Sequence, residues 1–177
     1  LLAIAAETGV VVWSAKLHDL VDPDDARNLS HVGSAGFAGK SVCAAAFRGW
    51  LACFDIDSGA QNWQQKISSA GAVAVTGSEV FAVDDAGDLH AFAASSGSQL
   101  WKAERASALR TPLLASAAGF LVVADGFEGL SVYDSTSGQR TGGIRLDSDP
   151  VTLVALADGD LLAQTRQGFL YRLRLQQ

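Results

Sequence analysis

Short apolar runs alternate with glycine-containing turns along almost the whole chain. Residues 79–84 and 88–93 are two such runs, and they flank a turn at 85–87. The same order of run, turn and run recurs at 119–133 and at 160–173. No segment keeps a helical apolar period long enough for a core helix. The pattern therefore predicts an all-β chain of short antiparallel strands joined by tight turns.

A longer repeat is superimposed on these strands. Four Ser/Thr-Gly turns are spaced by 50, 38 and 41 residues, and three of them are followed four residues later by tryptophan. The glycines are Gly9, Gly59, Gly97 and Gly138, and the tryptophans are Trp13, Trp63 and Trp101, with Gly142 in the fourth place. A period of about 40 residues with four short strands is typical of a β-propeller blade.

The repeat divides the chain into blade units. These are residues 14–63, 64–101, 102–142 and 143–175, with residues 1–13 as the outer strands of a preceding blade. The predicted fold class is an all-β propeller of four-stranded antiparallel blades, with about four blades present. Because the chain opens inside a repeat and without an initiator methionine, we expect it to be part of a longer protein.

The repeated residues are predicted to be scaffold. A tryptophan after each glycine turn can place its ring between adjacent blades, a role that is favoured over a row of ligand-binding rings. Asp55 and Asp134 open two of these turns and are assigned to the same scaffold. Gly142, in the place of a tryptophan, predicts that the last joint between blades is packed differently.

The two cysteines, Cys43 and Cys53, flank a turn at 47–50 and are expected on opposite arms of one hairpin. Cross-strand neighbours have a separation compatible with a disulfide. The alternative is a pair of small buried apolar side chains that face each other. A metal site is not expected, since CxxC spacing is missing and the three histidines are scattered.

Charge and motif content narrow the function classes. The net charge is −6 and there is no basic run, so nucleic acid is not an expected partner. No apolar stretch reaches the roughly 18 residues of a membrane-spanning helix. Nucleophile elbows, zinc-protease helices and phosphate-binding loops are missing from the sequence, so neither an enzyme nor a cofactor site is expected.

The segment 53–63 resembles the docking repeat of quinoprotein-type propellers, in which Asp, Ser/Thr-Gly and Trp stand at these spacings. Within that superfamily the chain is most similar to the BamB family. The similarity lies in the stretches 44–59 and 111–175 and in the long first interval between turns. The resemblance implies the C-terminal half of an eight-bladed ring. It also implies a non-catalytic scaffold subunit of the outer-membrane β-barrel assembly (BAM) machinery.

Partners and location are implied by the same resemblance. The scaffold would bind the periplasmic (POTRA) domains of BamA and would assist unfolded outer-membrane barrel proteins. It would lie at the periplasmic face of the outer membrane of a Gram-negative bacterium. A lipid anchor is implied by the family, although neither cysteine of this chain stands at an N-terminal lipidation position.

In the family, a long loop ends in an acidic Asp-Val-Asp motif that contacts BamA. This chain loses both acidic residues at the matching positions. The matching segment consists of Asn28, Leu29, Ser30, His31, Val32 and Gly33. By hypothesis, Asp22, Asp24 and Asp25 restore acidity nearby. The alternative is that residues 18–34 are only a solvated loop.

Two further function classes stay open beside the scaffold. One is a piece of a PQQ-dependent quinoprotein dehydrogenase, and the other is a ligand-sensing propeller ectodomain of a signalling protein. Because an arc of blades leaves strand edges and interblade faces unpaired, we also expect copies of the chain to associate with each other.

Overall fold

The computed structural model describes residues 1–17, 33–104, 113–124 and 129–175. Within these ranges every regular element is a β-strand, so the predicted all-β class is confirmed. A helix with the length and apolarity needed to cross a membrane is not found among them.

Five antiparallel sheets follow one another in chain order. The first contains β1 (Leu2–Ile4) and β2 (Val11–Ser14). The second contains β3 (Gly36–Ala38), β4 (Ser41–Ala45), β5 (Leu51–Asp55) and β6 (Gln61–Gln65). The third contains β7 (Val73–Val75), β8 (Glu79–Val83), β9 (Leu89–Ala93) and β10 (Gln99–Ala103). The fourth contains β11 (Leu114–Ala117), β12 (Phe120–Ala124), β13 (Leu130–Asp134) and β14 (Arg140–Ile144). The fifth contains β15 (Pro150–Ala155), β16 (Leu161–Thr165) and β17 (Leu170–Leu173).

The strands of each sheet pair in the order of the sequence, and the first strands of neighbouring sheets contact one another. β3 contacts β7, β7 contacts β11, and β11 contacts β15. The first strands therefore line the inner side, and β6, β10 and β14 lie outermost. This is the blade arrangement of a β-propeller, as predicted. The fifth sheet differs, because its described residues form three strands and leave β17 at the edge.

The apolar residues form clusters between successive sheets rather than one central core. On β8, Val80 faces the preceding sheet while Phe81 faces the following one. On β12, Leu121 and Val122 divide in the same way. Successive side chains of a strand point to opposite faces, so a strand buried on both faces is apolar at every position. The continuous apolar runs of the sequence, rather than alternating ones, have this cause.

One edge of the propeller, here called the turn face, carries the turns between first and second strands and between third and fourth strands. Their backbones are hydrogen-bonded to each other within each blade. The amide of Ile56 donates to the carbonyl of Lys40 at 2.8 Å, and the amide of Ala94 donates to that of Ser78 at 2.9 Å.

The opposite edge, here called the linker face, carries the turns between second and third strands together with the linkers between sheets. The amide of Trp50 donates to the carbonyl of Leu17 at 3.0 Å. The amide of Asp85 donates to the carbonyl of Ser68 at 2.9 Å. Each of these bonds joins a turn of one sheet to the linker that precedes or follows it, so the linkers are tied to the blades.

Candidate partner-binding face

The loop predicted to bind a partner leaves and rejoins the described structure on the linker face. Leu17 accepts the hydrogen bond from Trp50, and the chain returns at Gly33. A Cβ atom on Gly33 would lie 1.5 Å from the carbonyl oxygen of Gly71. Gly33 is therefore held by backbone packing and has no room for a side chain. The other five residues of the predicted motif, 28–32, and the three hypothesised aspartates lie outside the described residues.

A hydrogen-bond network fixes the linker face beside this loop. The amide of Arg48 donates to the hydroxyl of Ser68 at 2.7 Å. The hydroxyl of Ser69 donates to the carbonyl of Val83 at 2.6 Å, and its amide donates to the carbonyl of Ala46 at 3.3 Å. One linker therefore joins the turns of two neighbouring blades. A partner would meet a preformed surface here.

Arg48 is an exposed cation in an unusual backbone conformation at the centre of that network. Its φ is 54°, a region that costs a non-glycine residue roughly 1–2 kcal/mol. Its guanidinium lies 5.5 Å from the ring centroid of Phe47, within cation–π range. In the corresponding turns the residues with positive φ are glycines: Gly87, Gly129 and Gly168. The sequence repeat aligns Gly49 with these glycines. Only the structure shows that Arg48, one residue earlier, has the positive φ in its turn.

A polar groove of about 220 Å³ lies next to Ser68 between two blades. His90 Nε2 lies 2.9 Å from Asp84 Oδ2, and the imidazole stacks on Phe92 with an interplanar angle of 3°. The preceding blade has Ala46 and Ala52 at the equivalent positions. The His–Asp pair therefore departs from the repeat. Sequence reasoning missed it, although that departure was the available signal.

The tryptophans lie on the turn face and form the joints between blades. The indole N–H of Trp63 donates to the carbonyl of Ala94 at 2.8 Å. Its ring lies against Gly97, where an added Cβ would be 2.6 Å from ring atoms. Trp13 and Trp101 make the same joint with the turns of Gly59 and Gly138, at 2.9 Å and 3.0 Å for the indole hydrogen bond.

The two acids of the repeat, Asp55 and Asp134, form hydrogen bonds inside their own turns. Asp55 Oδ1 accepts from the amide and hydroxyl of Ser58 at 2.8 and 2.7 Å, and Asp134 does the same with Ser137. These hydrogen bonds lower the pKa of both carboxyl groups, and the bond from the serine hydroxyl has the largest effect. Their geometry is that of a structural turn.

The fourth repeat has glycine in the place of the indole, and the fifth sheet carries polar contacts of its own. Gly142 has no atom within 4 Å of an added Cβ. The hydroxyl of Tyr171 donates to Asp147 at 2.9 Å, which ties β17 to the linker before the fifth sheet. Asp160 accepts hydrogen bonds from Arg174 and Arg172, which lower its pKa to about 2. These charged and hydroxyl contacts lie within the fifth sheet and the linker before it, and Gly142 takes no part in them.

Cys43 and Cys53 face each other on β4 and β5 and are joined by a disulfide, with a Cα–Cα distance of 4.1 Å. Both are fully buried. Among the residues that the structure describes, no group of three or more His, Cys, Asp or Glu side chains is arranged to hold a metal ion.

The sequence matches the family described as outer membrane protein assembly factor BamB over residues 1–103 and again over 85–176. The chain belongs to the BamB family. The two overlapping matches together cover nearly the whole sequence, and the tryptophan joints described above lie within them.

Individual BamB relatives differ in how much they share with the chain. Outer membrane protein assembly factor BamB of Bordetella pertussis is 35% identical over 71 residues, which are 39% of this chain and 18% of that protein. The crystal structure of BamB from Moraxella catarrhalis aligns with a TM-score of 0.83 and 19% identity. That alignment covers 98% of this chain and 52% of that one. The chain therefore spans about half the length of that BamB.

A designed protein shares the fold at the same size. The computationally designed Ika4 protein aligns with a TM-score of 0.66 and 15% identity, over 93% of this chain and 100% of that chain. At this identity the likeness concerns the fold alone.

Proposed function

We propose that this chain is part of an accessory factor for the assembly of outer-membrane β-barrel proteins, where it acts as a non-catalytic scaffold. The match of nearly the whole chain to the BamB family carries the proposal. The relative in Bordetella pertussis is named an outer membrane protein assembly factor. The blades supply a rigid frame, and partners bind at the surface of that frame.

The proposed partner is the periplasmic (POTRA) part of BamA, and the proposed contact surface is the linker face. The described chain leaves this face at Leu17 and returns to it at Gly33, the last residue of the predicted segment 28–33. Arg48 lies next to Leu17 through the adjacent turn, in which a Cβ on Gly49 would be 2.7 Å from the Leu17 carbonyl oxygen. The two described ends of the loop, the Arg48 cation and the Phe47 ring therefore share one edge of the propeller. Unfolded barrel proteins are the further partners of the proposal.

The contacts of the acidic and histidine side chains support a scaffold rather than an enzyme. Asp55 and Asp134 cap turns, and Asp160 lies between two arginines. His90 is paired with Asp84 in a groove that is also lined by Lys66, Asp85, Ser68 and two glutamines. The hydroxyl of Ser68, which also lines the groove, accepts a hydrogen bond from the amide of Arg48.

A location at the periplasmic face of the outer membrane belongs to the same proposal. The disulfide between Cys43 and Cys53 supports it, because structural disulfides persist in the bacterial periplasm and are rare in the cytosol. Attachment to the membrane by a lipid would then be a property of the intact factor.

Binding to immobilised BamA periplasmic domains tests the proposal. We compare the wild-type chain with a loop variant, Leu29→Ala with His31→Ala and Val32→Ala. The matched control carries Lys40→Ala with Ser58→Ala and Ser78→Ala on the turn face. Wild type and control are expected to bind alike, and the loop variant at least about tenfold more weakly, or about 1.4 kcal/mol. No binding by the wild type, or equal binding by all three, contradicts the proposal.

The charge hypothesis has its own arm in the same assay. Replacement of Asp22, Asp24 and Asp25 by lysine is expected to weaken binding most at low ionic strength, since salt screens exposed charges. Unchanged affinity of this variant would remove the hypothesis that these residues replace the family's acidic motif.

A further inference from the structure

The groove beside Ser68 is built from two complete blades and departs from the repeat. One wall is the end of β6 with the linker that follows it, and the other is formed by β9 and the turn before it. In the preceding blade the positions of Asp84 and His90 are occupied by Ala46 and Ala52, which are buried. The repeat therefore does not require a polar pair here, and burial of polar groups costs free energy. A polar pair of this kind in a concave site indicates a binding function.

His90 lines the groove and keeps one ring nitrogen without a partner. The residue is only 9% exposed. Asp84 Oδ1 accepts a hydrogen bond from the amide of Asp88 at 2.8 Å, and Asp84 Oδ2 lies 2.9 Å from His90 Nε2. A carboxylate can only accept, so Nε2 carries the proton, and Nδ1 of the neutral ring is then an acceptor. No group among the described residues donates a hydrogen bond to Nδ1.

Two further acceptors belong to the lining of the groove. Gln65 Nε2 donates to the carbonyl of Gly97 at 2.8 Å, which leaves the side-chain oxygen of Gln65 to accept a hydrogen bond. Asp85 is exposed on the linker face, where its amide donates to the carbonyl of Ser68 at 2.9 Å. The Asp85 carboxylate pairs with no other described residue. Both walls of the groove therefore offer acceptors for a ligand that donates hydrogen bonds.

We propose that this groove binds an arginine side chain of a partner protein. The carboxylates of Asp84 and Asp85 outweigh the ammonium of the exposed Lys66 in the described lining, so a cation is favoured. A guanidinium has five N–H donors in a planar fork, and one such group can donate to acceptors on both walls.

The volume of the groove selects a side chain rather than a cofactor. It is about 220 Å³, whereas small-molecule sites have about 300–1,000 Å³. The inference goes beyond the proposed function and does not depend on it, since no property of BamA enters the argument.

A nuclear magnetic resonance titration with N-acetyl-argininamide tests the site on the isotope-labelled chain. Saturable shifts are expected at Nδ1 of His90 and at the amide of Asp85, with millimolar affinity. N-acetyl-citrullinamide has nearly the same shape without the charge, and it is expected to bind at least about threefold more weakly. N-acetyl-aspartamide, an anion, is expected to give no saturable shift. Equal affinity for the citrulline compound, binding of the anion at these atoms, or no saturable shift with the arginine compound would overturn the inference.

Two charge variants with opposite expected effects complete the test. Asp85→Asn removes a carboxylate from the lining and is expected to weaken binding of N-acetyl-argininamide by about threefold. Lys66→Gln removes the competing cation and is expected to strengthen it. The matched controls, Asp57→Asn and Lys40→Gln, make the same charge changes at exposed positions on the turn face and are expected to leave the affinity unchanged. Weaker binding by Lys66→Gln, unchanged binding by Asp85→Asn, or equal effects of the controls would overturn the inference.

Discussion

Removal of the indole of Trp63 should destabilise the fold more than any other single truncation of a turn-face tryptophan. The side chain is buried in the joint between two complete blades, against Phe92 and Gly97. A tryptophan buries about 150–250 Å². At about 25 cal/mol per Å² this corresponds to about 4–6 kcal/mol, within the usual range of large core truncations. We therefore expect Trp63→Ala to lower the free energy of unfolding by about 4 kcal/mol.

Urea unfolding followed by far-ultraviolet circular dichroism measures this loss. Trp63→Phe keeps a ring in the joint and removes the hydrogen bond to Ala94, so it is expected to cost less than Trp63→Ala. Trp13→Ala is the matched control, because Trp13 makes the same joint with a more exposed ring and is expected to cost about half as much. A loss below about 1 kcal/mol for Trp63→Ala, or an equal loss for Trp13→Ala, would refute the role given to the joints.

Four other outcomes can be measured on the same chain. Replacement of Cys43 and Cys53 by alanine should lower stability by about 2.5 kcal/mol, from the entropy of a loop closed across a separation of 10 residues, and should make unfolding insensitive to reductant. Asp160→Asn should weaken the loss of stability at acid pH. The carboxyl pKa of Asp160 is about 2 in the folded state and about 4 in the unfolded state. Its contribution to stability is therefore complete above about pH 4 and is lost as the pH falls through 2. Gly138→Ala should destabilise more than Gly39→Ala, because both strain a positive φ but only the former clashes with an indole, at 2.6 Å; equal midpoints in urea would contradict this. Light scattering at rising concentration should show self-association of the chain, and a monomer throughout would count against it.

The fold could be predicted because the repeat is local in sequence. The spacing of Gly59, Gly97 and Gly138 predicted the succession of blades. The strand β12 is apolar at every position, and β8 from Val80 to Val83, because two sheets cover them. The unit boundaries at residues 63, 101 and 142 stay a prediction, as does the assignment of residues 28–33 to a partner.

The groove and the strained turn could not be predicted because they arise where different blades meet. Arg48 has a left-handed conformation, and its amide donates a hydrogen bond to the hydroxyl of Ser68 on the next linker. The pairing of His90 with Asp84 depends on strand register as well as on residue type. A repeat describes what the blades share, whereas these contacts depend on where one blade departs from the rest.

Site-specific photo-crosslinking tests the central claim, that the linker face is the surface that meets BamA. A photoreactive residue is placed at Arg48 on the linker face or at Ser58 on the turn face, and both positions are exposed. After illumination with BamA periplasmic domains, we expect a covalent product from position 48 and little or none from position 58. A product of equal or greater yield from position 58 would contradict it.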